Sequence, residues 1–146
     1  MLEERFIQFD IQVRTQREAV EALVALAAAE QRIADQQLVV QAVLLREEEG
    51  TTGFGQGIAI PHGKSASVLE PTLLVGRLGK PVDWQAMDDA PVDTLFLILV
   101  PETSHQEHLQ LLAKLARKLM HEEFVATLRQ LPNATEMFTF LQNELA

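Results

Sequence analysis

A histidine follows a proline at the end of a very short apolar run, Ile58-Ala59-Ile60-Pro61-His62-Gly63-Lys64, and this stretch is the best placed in the sequence for chemistry. Imidazole has an unperturbed pKa of about 6.5, so its neutral form is well populated near neutrality and can attack phosphorus. Pro61 limits the backbone before His62, and Gly63 leaves room for a group to approach closely. Residues 50–57, just upstream, hold four glycines and two threonines. The backbone N–H groups of Gly55, Gln56, Gly57 and Gly63 are a candidate phosphoryl-binding loop, in the manner of an anion nest. The alternative is a loop histidine that only hydrogen-bonds its own turn, a common arrangement.

A second imidazole, His108, falls in the first turn of a helix if Ser104 caps it, near the positive end of the helix dipole. It heads the stripe His108–Leu112–Leu115, leans toward the domain, and can donate a hydrogen bond to a phosphate on His62. Its other reading is a half-buried surface histidine. His105 and His108, three apart, can also ligate a metal together with His62 or Glu107, but no acidic cluster with ligand spacing supports them, and no metal is expected. His121 beside Glu122 and Glu123 reads as a solvated helix end. Arg46 reads first as a cation at a helix C-terminus, pairing with Glu49 or Glu47. Gly53-Phe54-Gly55-Gln56-Gly57 lacks the Lys-Ser/Thr of a nucleotide loop, and a proline rather than a helix follows it.

The elements that must position these groups follow from periodicity. Partial alternation predicts a strand over residues 6–13, and Thr15 with Glu18 makes a capping box for a helix over 16–29. Asp35 caps a second helix, through Leu38, Val39, Ala42, Val43 and Leu45, that breaks before Gly50. Residues 50–57 read as a loop, and Ile58-Ala59-Ile60 as a strand whose ladder Pro61 stops, placing His62 at its carboxyl end, where open α/β sheets bind ligands. A strand over 72–78 precedes a polar, turn-rich stretch around Trp84. The continuous apolar run 95–100 is a strand buried on both faces. Ser104 with Glu107 repeats the capping box for a helix reaching Met120, with Leu109, Leu112, Ala116 and Leu119 inward. Short helices over 122–130 and 135–144 complete an α/β layered domain.

Composition narrows the function. The chain has 146 residues, the length of one domain, and 47% are hydrophobic, enough for a core without staples. The absence of cysteine excludes disulfides, thiolate metal sites and a cysteine nucleophile. A formal charge of −9 and few aromatics argue against nucleic acid as a partner. No apolar stretch approaches the roughly 18 residues of a membrane span, and the N-terminus is acidic at once, so a cytoplasmic protein without membrane insertion is expected.

At these residues the sequence resembles the enzyme IIA domains of the fructose/mannitol class (EIIA type 2) of the bacterial phosphoenolpyruvate-dependent sugar phosphotransferase system. The family signature runs here from Glu47 through Phe54-Gly55 to Ile58-Ala59-Ile60-Pro61-His62-Gly63, without departure. Family-like segments follow at Gly76-Arg77-Leu78, Pro81-Val82-Asp83-Trp84, Pro91-Val92-Asp93 and Glu107-His108-Leu109; the match covers about residue 45 to the C-terminus. The resemblance implies one domain over residues 1–146, with a mixed, mostly parallel sheet of about five strands flanked by helices. It implies a phosphocarrier in which His62 takes a phosphoryl group from phospho-HPr and passes it to a IIB protein or domain. It places the family's second active-site histidine at His108 and its active-site arginine at Arg46. No cofactor is implied, because the donor is already activated. A regulatory, nitrogen-related relative would carry the same site.

Overall fold

The computed structural model describes residues 1–104 and 106–146, apart from the side chains of Glu107 and His108. After a 3₁₀ turn at Glu4–Phe6, strand β1 (Ile7–Ile11) leads into helix α1 (Gln16–Ala29). The α1 N-terminus forms where its cap dictates: Thr15 Oγ1 accepts the Glu18 N–H at 3.1 Å. Glu18 returns its carboxylate to the Arg14 N–H at 2.9 Å, one residue earlier than a standard capping box. Helix α2 (Gln36–Glu49) opens in the same way, with Asp35 accepting the Leu38 N–H at 3.2 Å.

Six strands form one sheet, ordered β1-β5-β6-β3-β2, with β4 also on β6. They are β2 (Gly53–Gly55), β3 (Ile58–Ala59), β4 (His62–Ser65), β5 (Thr72–Val82) and β6 (Val92–Pro101), besides β1. The pairs β1/β5, β3/β6 and β4/β6 are parallel, whereas β5/β6 and the hairpin β2/β3 are antiparallel. The mixed α/β sheet expected from the sequence is thus present, with six strands where about five were expected. The sixth arises because Pro61 interrupts a strand without ending it. Ile58 pairs with Thr94 and His62 with Ile98 at the same offset, and the Pro61 carbonyl still accepts the Ile98 N–H at 3.0 Å. Proline removes a donor but leaves its acceptor, so the ladder resumes one residue later.

Strand β6 divides the core. Leu95, Leu97 and Leu99 pack with Val20, Leu23 and Val43 of α1 and α2 on one face. Phe96, Ile98 and Val100 pack on the other face with Leu115, Phe124 and Leu141, from α3 (Glu107–Leu119), α4 (Glu122–Gln130) and α5 (Ala134–Leu145). Alternate side chains of one strand thus meet two apolar layers, as the unbroken run 95–100 requires.

Three local expectations are corrected. Residues 50–57 contain strand β2 rather than only loop, since the glycines allow a tight turn onto β3. Strand β5 runs to Val82, beyond the expected 72–78, and Trp84 in the following loop is buried. Helix α3 takes Gln106, not Ser104, as its N-cap, without a side-chain capping bond. Its buried stripe is Leu115 and Leu119, whereas Leu109 in the first turn is 53% exposed.

Candidate functional site

His62 opens β4 at the Pro61 interruption, half-buried. It does not stand at the carboxyl end of its strand as expected, because β4 continues in register to Ser65. Its ring Nδ1 lies 3.1 Å from the Ile60 carbonyl. A carbonyl only accepts, so a hydrogen bond at this distance requires the Nδ1–H tautomer of the neutral ring, in which the lone pair is on Nε2. The two readings of this histidine are therefore compatible: one ring nitrogen can bond the turn while the other is the one presented for chemistry.

Helix α2 brings Arg46 alongside. A Cβ on Gly63 would lie 2.8 Å from Val43 Cγ2 and 3.3 Å from the Val43 nitrogen, so only glycine lets α2 lie this close to β4. Part of the room expected for a ligand at Gly63 is thus taken by the helix. Gly63→Ala is expected to cost about 1–3 kcal/mol by overpacking, read as a lower urea midpoint at unchanged slope.

Arg46 sits one turn beyond Val43. A groove of about 530 Å³ is bordered by Arg46, His62, Gly63, Lys64, Leu45 and Leu109, among others. A smaller hollow of about 170 Å³, toward Thr52, Phe54 and Met87, is also bordered by His62 and Arg46. Arg46 Nη1 donates to the Gly50 carbonyl at 2.9 Å. Among the described residues no ion pair includes Arg46, so the expected pairing with Glu49 or Glu47 is not formed.

The segment beside these two side chains is held by contacts that were not legible in the sequence. Glu47 accepts the Thr52 N–H at 2.6 Å and its hydroxyl at 2.5 Å. Trp84 Nε1 donates to Thr52 Oγ1 at 3.4 Å, and the Thr52 carbonyl accepts the Ile60 N–H at 3.0 Å. Glu47 opens the family signature, but nothing in the sequence ties it to Thr52, five residues on.

Gly55, Gln56 and Gly57 all have positive φ, +118°, +58° and +81°, and turn the β2/β3 hairpin. They border neither hollow at His62. The Gln56 N–H donates to Asp88 at 2.9 Å, and Arg129, paired with Asp93, donates to the Gln56 carbonyl at 3.0 Å. Of the four expected loop residues, the structure therefore brings only Gly63 to the histidine.

Asp88 is held below the usual carboxylate range by the N–H groups of Gln56 and then Ala90. A carboxylate depressed on folding contributes stability that is present above its ordinary pKa of about 3.9 and is lost as pH falls through the lower folded value. Asp88→Asn is accordingly expected to lose stability less steeply than the parent between about pH 5 and pH 3, measured by thermal unfolding across that range.

The remaining candidates are placed as follows. His108 is the second residue of α3, whose Leu109 and Leu112 border the groove, but its side chain lies outside the described residues. His105 lies outside them altogether. Among the described residues no group of three His, Cys, Asp or Glu side chains is placed to hold a metal. His121 is the exposed N-cap residue of α4, the solvated helix end expected of it.

Fold and site together define a mixed-sheet α/β protein with a histidine and an arginine on one shallow groove. The chain belongs to the family described as "Phosphoenolpyruvate-dependent sugar phosphotransferase system, EIIA 2", which matches residues 1–144. It is 45% identical over 109 residues to a fructose-specific EIIA component of Haloferax volcanii, covering 75% of this chain and 71% of that one. It is similar to the crystal structure of nitrogen regulatory protein IIA-Ntr from Neisseria meningitidis, with a TM-score of 0.87 and 34% identity, covering 95% and 94% of the two chains. It shares its fold with the mannitol IIA protein of Escherichia coli solved in complex with phosphorylated IIB, at TM-score 0.80 and 21% identity over 98% of each chain. No helix among the described residues is long and apolar enough to cross a membrane.

Proposed function

We propose that this protein is a cytoplasmic phosphoryl carrier of the sugar phosphotransferase system, in which His62 Nε2 accepts a phosphoryl group from phospho-HPr and donates it to a IIB protein of the fructose/mannitol class. The observation that carries this reading is the Nδ1 contact with the Ile60 carbonyl, which suits the tautomer with Nε2 as nucleophile, on a groove that Arg46 also borders.

The step is a displacement at phosphorus. The Nε2 lone pair forms the new P–N bond, and the electron pair of the breaking P–N bond returns to the donor imidazole. The transition state is loose, so positioning and charge stabilisation do most of the work. The proton on Nδ1 stays in place throughout. The phosphorylated ring is then cationic, a better leaving group when the IIB nucleophile attacks. Arg46 holds phosphoryl oxygens with the part of its fork not engaged by Gly50. His108 adds a hydrogen bond, as the family resemblance implies. Gly63 shapes the groove rather than gripping an anion. No nucleotide or metal enters, because a phosphohistidine donor is already activated.

Exposed Leu45, Leu109 and Met87, at 63%, 53% and 79%, surround His62 and suit a small transient interface. The charge of −9 suits steering of a donor with a basic face, and the transfer rate should fall as salt is raised. The deciding experiment is intact mass after incubation with phosphoenolpyruvate, Enzyme I and HPr. One acid-labile phosphoryl adduct is expected; no adduct, with a control IIA protein labelled in the same tube, would overturn the reading.

The likeness to a nitrogen regulatory protein favours a second reading, in which the phosphoryl state controls other proteins. Discharge of the phosphorylated protein to a IIB acceptor separates the two. A phosphorylated protein that no fructose- or mannitol-class IIB discharges belongs to the regulatory kind.

A further inference from the structure

We propose that Glu47 is a positioning residue for His62, selecting the tautomer of its imidazole through Thr52 and Ile60. The links are consecutive. The Glu47 carboxylate takes both the N–H and the hydroxyl of Thr52, at 2.6 and 2.5 Å. The Thr52 carbonyl takes the Ile60 N–H at 3.0 Å, and the Ile60 carbonyl lies 3.1 Å from His62 Nδ1.

Each link has a physical consequence. Ile60 is 4% exposed and sits at the interruption between β3 and β4. Its carbonyl is held where the ring can reach it, and a buried carbonyl needs a donor. The two bonds to the carboxylate are charge-assisted and therefore the strongest of the set. They clamp Thr52 to the last turn of α2, and Trp84 also donates to its hydroxyl. The Thr52 N–H and carbonyl belong to different peptide groups, as do those of Ile60. The coupling is therefore geometric: Glu47 sets where Thr52 lies, Thr52 sets where Ile60 lies, and the Ile60 carbonyl draws the ring proton to Nδ1.

In water, neutral histidine favours the opposite tautomer, with the proton on Nε2. A proton there occupies the lone pair that attacks phosphorus. Loosening the chain of bonds should thus return part of the population to the unreactive tautomer while leaving the rest of the sheet intact. The effect on transfer rests on the reading of His62 as the phosphoryl acceptor; the effect on the tautomer does not.

The test uses the full chain with ¹⁵N-labelled histidine, whose ring shifts distinguish the tautomers, together with the initial rate of phosphoryl acceptance from phospho-HPr. The parent is expected in the Nδ1–H form. Glu47→Ala should show a mixture with the Nε2–H form and accept phosphate a few-fold more slowly, in proportion to the reactive tautomer that is lost. Glu47→Gln keeps an acceptor oxygen for the Thr52 N–H and can donate its amide to the Thr52 hydroxyl, so it should bring both readouts most of the way back to the parent. A folded Glu47→Ala that keeps the parent tautomer overturns the proposal, even if its melting temperature falls, since that is a merely structural role. Should Glu47→Ala not fold, Thr52→Val removes one of the two carboxylate bonds together with the Trp84 bond, keeps the N–H bond to Glu47, and should give a shift in the same direction; no shift there overturns it too. A tautomer shift in a chain that takes no phosphoryl group even as the parent would leave the positioning role standing and remove the carrier reading.

Discussion

His62→Ala is expected to take up no phosphoryl group at all while remaining folded. The two halves of this result have separate causes. Alanine offers no nucleophilic nitrogen, and the groove holds no other histidine among the residues whose side chains are described. The fold loses little, because the β4 ladder runs through main-chain groups that alanine retains, pairing position 62 with Ile98. Among what disappears is the bond from Nδ1 to the Ile60 carbonyl, worth about 1 kcal/mol, with some further cost if water does not reach that carbonyl. Intact mass after incubation with phosphoenolpyruvate, Enzyme I and HPr reads the first half, and far-UV circular dichroism with a urea titration reads the second. An acid-labile adduct on the variant would move the carrier role to another side chain, and His108 would be the first to test.

How much of this was legible beforehand depends on how far each signal reaches along the chain. The start of helix α1 was readable to the residue because Thr15 and Glu18 are close neighbours whose bonds go to backbone within four residues of them. Strand β6 was readable because an unbroken apolar run has few other uses. Strand β2 was not, because three residues rich in glycine become a strand only through their pairing with β3. Pro61 was over-read as a terminator: its missing N–H is visible in sequence, but the Ile98 donor that its carbonyl finds is not. Ser104 and Glu107 fit a capping box by spacing, yet the helix starts from Gln106, so a local pattern lost to its surroundings.

The site divides along the same line. His62 stood out because proline, histidine and glycine adjoin in one stretch and match a family signature. Its partnership with Arg46 depends on the packing of α2 against β4, which Gly63 permits and no spacing encodes. The glycine turn drew attention for its backbone freedom, but its N–H at Gln56 goes to Asp88, more than thirty residues on. The Glu47–Thr52 clamp lies within five residues, but its meaning appears only when Ile60 and His62 are seen to hang from it.

Arg46→Lys is the sharper second test, because it separates two roles that arginine combines. Arg46 lies in the last turn of α2, where any cation interacts favourably with the helix dipole, by about 0.3–1 kcal/mol. Lysine keeps that charge, so stability should change by no more than a few tenths of a kcal/mol. The guanidinium, however, already gives Nη1 to the Gly50 carbonyl and retains further N–H groups for a phosphoryl oxygen. A single ammonium cannot hold a rigid fork between the same two partners. Losing one charge-assisted bond of about 1.5–3 kcal/mol in the transition state slows transfer by roughly 10- to 150-fold. Arg46→Ala should be slower still and should also lose the helix-end contribution. Rapid-quench transfer from phospho-HPr and urea unfolding, run on the same three proteins, therefore give two orderings. If arginine and lysine transfer at equal rates, Arg46 is only the helix-end cation. If rate and stability separate as argued, the guanidinium beside His62 belongs to the phosphoryl group.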